Sequence, residues 1–379
     1  MATFGIDDVQ ALRAASLLLT AGGPEVERTP LGIATWFGAM QAQDLASGQW
    51  SFGARMPGSV VADVEQAVVD REVLRTWPMR GTVHFVPAVD ARWMLEVTGV
   101  RALAGAAGRR ASLGLTDEVV ARAVDVLTDA LHGGKRLTRS ACVELLVDAG
   151  VHTAKEHGYH LLWYASQVGA TVMGPQEGKE QTFVLLDEWV PEPRRLDRDD
   201  ALAELALRYF RSHGPTTRQD FAGWTGLTQG DAKKGIAAAG EALATVEVEG
   251  QELVLAAELA ARAEEVLAAH DPGALHLLPG FDELVLGFKD RSLIVPDAHR
   301  QKIVPGNNGM FMPTIVAGGR VVGTWKRTVK ASRVEVEPRP FEPLSKAATT
   351  AFEAEAARYG AYLGLEAVVS RATGAAGRR

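Results

Sequence analysis

Cysteine occurs once in the 379 residues, at Cys142, so the chain can form neither an internal disulfide nor a cysteine-based zinc site. That usage fits a reducing compartment, and the expected location is cytoplasmic. No apolar run approaches the roughly 18 residues that a membrane helix needs, and the opening MATFGIDDVQ places acids before any apolar stretch, so neither spanning nor secretion is expected. A basic excess is missing too. Lys and Arg number 40 against 47 Asp and Glu, a formal net charge of −7, which argues against a polybasic nucleic-acid coat protein and confines any DNA surface to local patches. Disorder is excluded by 47% hydrophobic and 23% charged residues, a composition that supports a large core. At roughly 150 residues per unit, the length points to two to four folding units.

What is present is a pattern that recurs. Val120, Val124, Leu127 and Leu131 stand at helical spacing and stop at Gly133-Gly134. Thr138 caps a second helix through Val143, Leu145 and Leu146 to Gly150, and a third runs through Leu161, Leu162, Ala165 and Val168. The period then changes: Ala170 to Met173 and Thr182 to Leu186, flanking Gly174-Pro175 and Gly178, read as a hairpin. Three helices and a hairpin describe a winged helix. The order returns with Leu202, Leu205 and Tyr209 on one helix, a Thr216 to Gln219 capping signal, Thr228 with Asp231 capping another helix, and a hairpin about Gly250. It fits the N-terminal part as well, with helices over Val9 to Leu19, from Thr29-Pro30, and over Leu45 to Ala54. A helical stretch from Asp63 to Val69 precedes a wing over Val73 to Val86.

Beyond a helix from Ala257 to His270, strands are expected at Leu275 to Pro279, Leu284 to Phe288, Met310 to Val316 and Arg320 to Trp325. A helix from Leu344 to about Leu363 closes the chain, with a frayed tail over Ala372 to Arg379. The expected architecture is α+β: three tandem winged-helix modules at 1–110, 111–196 and 197–257, then a β-barrel-like unit with flanking helices at 258–379.

Winged helices commonly dock on duplex DNA, with Arg and Lys neutralising phosphates. Arg320, Lys326, Arg327, Lys330 and Arg333 lie in one acid-free stretch, Arg101, Arg109 and Arg110 in another, and Lys135, Arg136 and Arg139 in a third. Each could equally be a solvated surface. The run from His152 through Glu156 to His157 and His160 lacks the spacing of an inverted zinc-protease motif, and reads as a loop and helix start. Gly133-Gly134-Lys135 ends like a phosphate loop, but Arg136 follows and Asp129 holds the earlier glycine position. No metal, nucleotide or other cofactor is expected.

Between the second and third helices stands Met40-Gln41-Ala42-Gln43-Asp44, two carboxamides one residue apart. An extended or turn conformation lets them point the same way, although exposed glutamines also simply decorate loops. Asp44 is either a base or counter-charge, or the cap of the helix at Leu45. With this segment stand Leu74-Arg75-Thr76-Trp77-Pro78-Met79-Arg80-Gly81-Thr82-Val83-His84, Leu278-Pro279-Gly280-Phe281-Asp282, Asn308-Gly309-Met310-Phe311-Met312-Pro313-Thr314 and Val321-Val322-Gly323-Thr324-Trp325. On these landmarks, spread over nearly the whole chain, the sequence resembles the bacterial winged-helix DNA glycosylases of the AlkZ type, a family that includes azinomycin resistance.

The resemblance implies that Gln41 and Gln43 are catalytic. Gln at the second position, where a sister branch carries Asp, implies the crosslink-unhooking, self-resistance branch. It implies a substrate of damaged double-stranded DNA carrying N7-alkylated purines, bulky adducts or interstrand crosslinks. N7-alkylation leaves guanine cationic and already a good leaving group, so the remaining task is to hold a water and stabilise the developing charge. No lysine precedes Lys135, so the first module offers no Schiff-base nucleophile, and a monofunctional enzyme is expected. The candidate DNA contacts are Arg80, Lys135, Arg139, Asn307, Asn308, Lys326, Arg327 and Lys330, with Pro305 to Gly309 as a groove-probing hairpin or a plain turn. The protein is expected to be a monomer. Two other readings stay open: a noncatalytic winged-helix regulator whose glutamines read bases, and a protein that sequesters the genotoxin itself.

Overall fold

The computed structural model describes residues 4–20, 22–151 and 157–370. The N-terminal segment begins with a helix over Ile6–Ser16. Thr29 then accepts the Gly32 N–H through Oγ1 at 3.1 Å, Pro30 supplies a preset φ, and a helix runs over Pro30–Phe37 until Gly38, at φ 79°, ends it. Strand β1 (Met40–Gln41) follows, then helices Leu45–Gly53 and Val61–Val69, then β2 (Val73–Met79) and β3 (Thr82–Pro87). The two residues joining β2 to β3, Arg80 and Gly81, both have positive φ (54° and 70°), as the twist of a tight two-residue hairpin demands.

A run of short helical pieces leads away, including a five-residue π turn at Leu95–Gly99 that no sequence signal announced. Helix Asp117–Leu131 is capped by Thr116, and helix Arg139–Asp148 by the expected Thr138. Between them lies β4 (Leu137–Thr138), and after helix His157–Gln167 come β5 (Thr171–Glu177) and β6 (Glu180–Leu185). The third segment has helices Arg198–His213, Arg218–Thr225 and Gln229–Ala239, and a hairpin of β7 (Leu243–Val248) and β8 (Gln251–Ala256). Its second helix is capped by Thr217 with Asp220, one residue beyond the expected signal, and its third by Thr228.

The first two hairpins do not stay separate. Arg75 of β2 pairs with Met173 of β5, and one six-stranded sheet runs β1-β3-β2-β5-β6-β4. An isolated wing would leave strand edges unpaired in the interior. Joining the two satisfies those backbone groups and merges their cores.

The C-terminal part departs from the expected barrel. Strands β9 (Leu275–Leu278), β10 (Thr314–Ala317), β11 (Arg320–Val329), β12 (Arg333–Pro340) and β13 (Glu366–Val369) form an open sheet in the order β13-β12-β11-β10-β9. Helix Lys346–Leu363 packs on it, so the exposed face is covered without closure. Leu284 to Phe288, expected as a strand, begins instead in a helical turn, Glu283–Leu286, capped by Asp282. The expected helix Ala257 to His270 is broken into Ala257–Ala261 and Ala263–Ala269. Pro305 to Gly309 is not a hairpin: Pro305–Asn307 is a 3-10 turn, closed by the Asn308 side chain on the Met310 N–H at 2.9 Å. The tail from Ala372 and the stretch His152 to Glu156 lie outside the described residues.

Tryptophan and tyrosine lock this sheet to the first segment. Trp50 Nε1 donates to the Leu277 carbonyl of β9 (2.6 Å) and Tyr362 Oη, on the helix that covers the sheet, to that of Gln49 (2.7 Å), while within the sheet Trp325 Nε1 of β11 donates to the Leu278 carbonyl of β9 (2.7 Å). Helix Leu45–Gly53, which starts one residue after the Gln-Ala-Gln-Asp segment, is therefore held rigidly from behind.

Candidate active site

Gln41 ends β1, paired across the sheet with His84 of β3. The chain stays extended for one more step, because the Ala42 N–H donates to the Val83 carbonyl at 2.8 Å. Ala42 is buried against helix Leu45–Gly53, where a Cβ on Gly48 would come within 2.8 Å of its own Cβ. The inward slot fits only a small apolar side chain, and the two carboxamides flank it.

Both carboxamide oxygens are fixed by backbone donors. Gln41 Oε1 accepts the Gln43 N–H at 3.4 Å, and Gln43 Oε1 accepts the Val83 N–H at 3.2 Å. A backbone N–H only donates, so these contacts assign the oxygens, and each carbonyl oxygen keeps a second lone pair. Gln41 is buried and Gln43 exposed, so the pair spans the boundary between interior and solvent.

Directly behind Gln41 lies a group that sequence reasoning missed. Glu283 Oε1 accepts the Gln41 backbone N–H at 3.3 Å, and Oε2 accepts from His213 Nε2 (3.2 Å) and Trp224 Nε1 (2.9 Å). Burial alone would raise the Glu283 carboxyl, but the hydrogen bond and charge of His213 and the Trp224 N–H outweigh it and hold it below the usual carboxylate range. A fully buried anion therefore sits under the first glutamine.

The loop Leu278-Pro279-Gly280-Phe281-Asp282 puts it there. A Cβ on Gly280 would lie 2.7 Å from the Phe311 carbonyl oxygen, and Phe281 takes a left-handed φ of 64°, which is strained for a bulky side chain. Asp282 caps the following turn and accepts two hydrogen bonds from Arg55, at 2.8 and 3.0 Å. The two adjacent acids point to different partners, one to Arg55 of the first segment and one to Gln41 and the third segment. That division of labour gives the landmark motif its physical meaning.

His84 is fixed as a neutral imidazole. Its Nδ1 donates to the Thr82 carbonyl (2.8 Å), leaving Nε2 to accept from Arg80 (3.4 Å). Burial, together with the Arg80 cation and despite Glu283, pushes its pKa down to about 3. Unfolding restores an ordinary value near 6.5. The unfolded chain therefore binds a proton that the folded one refuses between pH 6.5 and about 3, and stability falls as pH falls through that window. His276, pushed down to about 4 by burial and by Arg358 and Arg55, adds a parallel contribution. Urea unfolding at pH 7.5 and 5.0 should show wild type losing on the order of a few kcal/mol, and His84→Gln should show a visibly shallower loss. Equal slopes in the two proteins would remove His84 from the balance.

The candidate DNA contacts separate in space. Arg327 pairs with Asp44 at 2.9 Å, which brings β11 against the glutamine segment, while Asp44 also accepts the Ser47 N–H at 3.2 Å as the cap of helix Leu45–Gly53. Lys326 and Lys330 are exposed on the same strand and at its tip. Arg80 is half-buried, turned toward His84 and attracted by Glu283. Lys135 and Arg139 are exposed on the second segment, and Asn307 and Asn308 in the 3-10 turn and just after it. Gln41, Gln43, Arg80 and Arg327 thus converge; Lys135, Arg139, Asn307 and Asn308 are carried by other elements. Among the described residues no cluster of three or more His, Cys, Asp or Glu has the arrangement of a metal site.

Comparison with known proteins is consistent along most of the chain. A family model described as DNA glycosylase AlkZ-like matches residues 34–362. A protein of Streptomyces sahachiroi named interstrand DNA cross-link repair glycosylase is 28% identical over 339 residues, covering 84% of this chain and 86% of its own. The solved structure of the Streptomyces sahachiroi DNA glycosylase AlkZ superposes with a TM-score of 0.78 at 24% identity, covering 97% of this chain and all of that one.

Proposed function

This chain belongs to the AlkZ-like DNA glycosylase family, and on that premise we propose that it hydrolyses the N-glycosidic bond of N7-alkylated purines in double-stranded DNA, including bulky adducts and the interstrand cross-links that the name of its Streptomyces relative specifies. The observation that carries the reading is the pair of carboxamide oxygens, each anchored by one backbone amide and each with a lone pair remaining. Two such acceptors position a water beneath a sugar that is acquiring oxocarbenium character, and their dipoles meet its positive charge without reorganising. A cationic leaving base needs no strong general acid. The buried Glu283 anion behind Gln41 adds a fixed negative field of the same favourable sign.

We read the three helix-and-hairpin segments as winged helices with the boundaries given above, and the enzyme as a monofunctional, cytoplasmic monomer. Lys326 and Lys330, with Arg327 behind them, supply phosphate contacts nearest the glutamines. Lys135 and Arg139, Asn307 and Asn308 extend the footprint, and Arg80 acts from within the first wing.

Single-turnover incubation with a duplex carrying one N7-alkylguanine tests this directly. Abasic sites should accumulate in the presence of the wild-type protein. Tight binding to undamaged duplex with no release from simple, bulky or crosslinked lesions would instead identify a noncatalytic DNA-binding regulator.

A further inference from the structure

At the tip of the β2–β3 hairpin, away from the glutamine pair but at the end of β3, the strand that pairs with β1, a cavity of about 480 Å³ opens to solvent. Its walls carry three guanidinium groups, Arg80, Arg101 and Arg109, and three aromatic rings, Tyr159, His160 and Trp163, with no carboxylate among the described lining residues. The first wing, the helical pieces after it and helix His157–Gln167 each contribute one side.

The cavity is built rather than incidental. Gly81 and Gly226 line it, both at the positive φ (70° and 75°) that favours glycine, and the space their missing Cβ atoms would take lies in contact with the Trp163 ring (3.8 Å) and Arg80 (3.4 Å). Arg80 is held by His84 and by attraction to Glu283. Thr98, at the end of the π turn, ties that wall down by hydrogen bonds to the carbonyls of Met94 (2.6 Å) and Pro78. Arg101 and Tyr159 stay exposed toward the opening.

Cations beside sequence-tolerant stacking surfaces are what an unstacked nucleotide requires, because its phosphate is anionic and every base has a π face. The strand geometry also places the cavity. Val83 holds Gln43, and Gly81 is two residues back, about 7 Å at ~3.4 Å per residue, while each DNA strand advances ~3.4 Å per nucleotide. We infer that this cavity is a subsite for one unstacked nucleotide of the bound strand, about two nucleotides from the lesion, with its phosphate on the guanidinium groups and its base against Tyr159 and Trp163. The two-nucleotide offset rests on the glycosylase reading; the subsite itself does not.

The test is fluorescence anisotropy of the full chain on a plain duplex and on the same duplex with one unpaired, bulged nucleotide, which is already unstacked and enters the subsite at lower cost. Wild type should bind the bulged duplex ~10-fold more tightly. Arg101→Gln and Tyr159→Ala should each reduce that preference toward unity, and Arg101→Gln should lower the slope of log affinity against log salt by about 0.9. Arg218→Gln, removing an exposed cation elsewhere, should leave the bulge preference intact. Wild-type preference retained in both cavity variants would overturn the subsite, as would full competition by a free mononucleotide, which would mark a small-molecule site. Bulge binding through Arg101 by a wild type that releases no base would sink the glycosylase reading and leave the subsite standing.

Discussion

Gln41→Ala and Gln43→Ala should each lower the single-turnover rate of base release by about 100- to 1000-fold, the loss typical when one preorganised polar group is removed from a developing charge, while duplex affinity stays within about threefold. Affinity is set by phosphate contacts, and neither glutamine is cationic. The variants differ in what they leave behind. Removing the Gln41 side chain spares its backbone bond to Glu283 but frees the Gln43 N–H; removing that of Gln43 leaves the Val83 N–H without its acceptor. Conservative replacements should separate the roles further. Gln43→Glu keeps an oxygen for Val83 on an exposed residue and should retain measurable activity. Gln41→Glu sets a second carboxylate beside the Glu283 anion and should destabilise the fold as well as the site. Rates within threefold of wild type for both alanine variants would move the chemistry elsewhere.

How far the sequence reaches can be judged residue by residue. Thr29, Thr138 and Thr228 announced helix starts because a capping hydroxyl acts within three residues, and the hairpin glycines were legible for the same local reason. The Gln-Ala-Gln segment was visible through resemblance, and the structure adds why its middle residue is small. What stayed hidden was tertiary. Nothing local says that β2 must pair with β5, since an edge strand and a central strand of this length look alike. Glu283 was lost because Leu284 to Phe288 reads as a β run, whereas Asp282 caps a helical turn there. Its chemistry exists only where residues 41, 213, 224 and 283, distant along the chain, meet in space. Arg80 was legible as a basic residue at a hairpin tip, but its orientation toward His84 and its attraction to the buried Glu283 carboxylate were not, because they depend on a residue far along the chain.

The anchor of that arrangement is the Arg55–Asp282 pair, both side chains at most 1% exposed, and breaking it should produce the largest loss of stability in the molecule. Arg55→Ala or Asp282→Ala should each cost about 3–5 kcal/mol in urea unfolding, because the surviving partner is left as an uncompensated buried charge. The Arg55 guanidinium also donates to the Leu17 and Ser51 carbonyls, at 2.8 and 3.0 Å, so its removal frees those acceptors too. Replacing both members by apolar residues, Arg55→Met with Asp282→Leu, removes the charge problem and should recover most of the stability. It should not recover the rate. The bidentate contact fixes the loop in which Phe281 is strained and from which Glu283 reaches the Gln41 N–H, and an apolar pair does not specify that loop geometry. The doubly substituted protein should therefore unfold near the wild-type urea midpoint yet release base about tenfold more slowly, as expected for roughly 1.4 kcal/mol of lost transition-state positioning. A wild-type rate in that protein would show that the loop is held by its other contacts and that the ion pair serves stability alone.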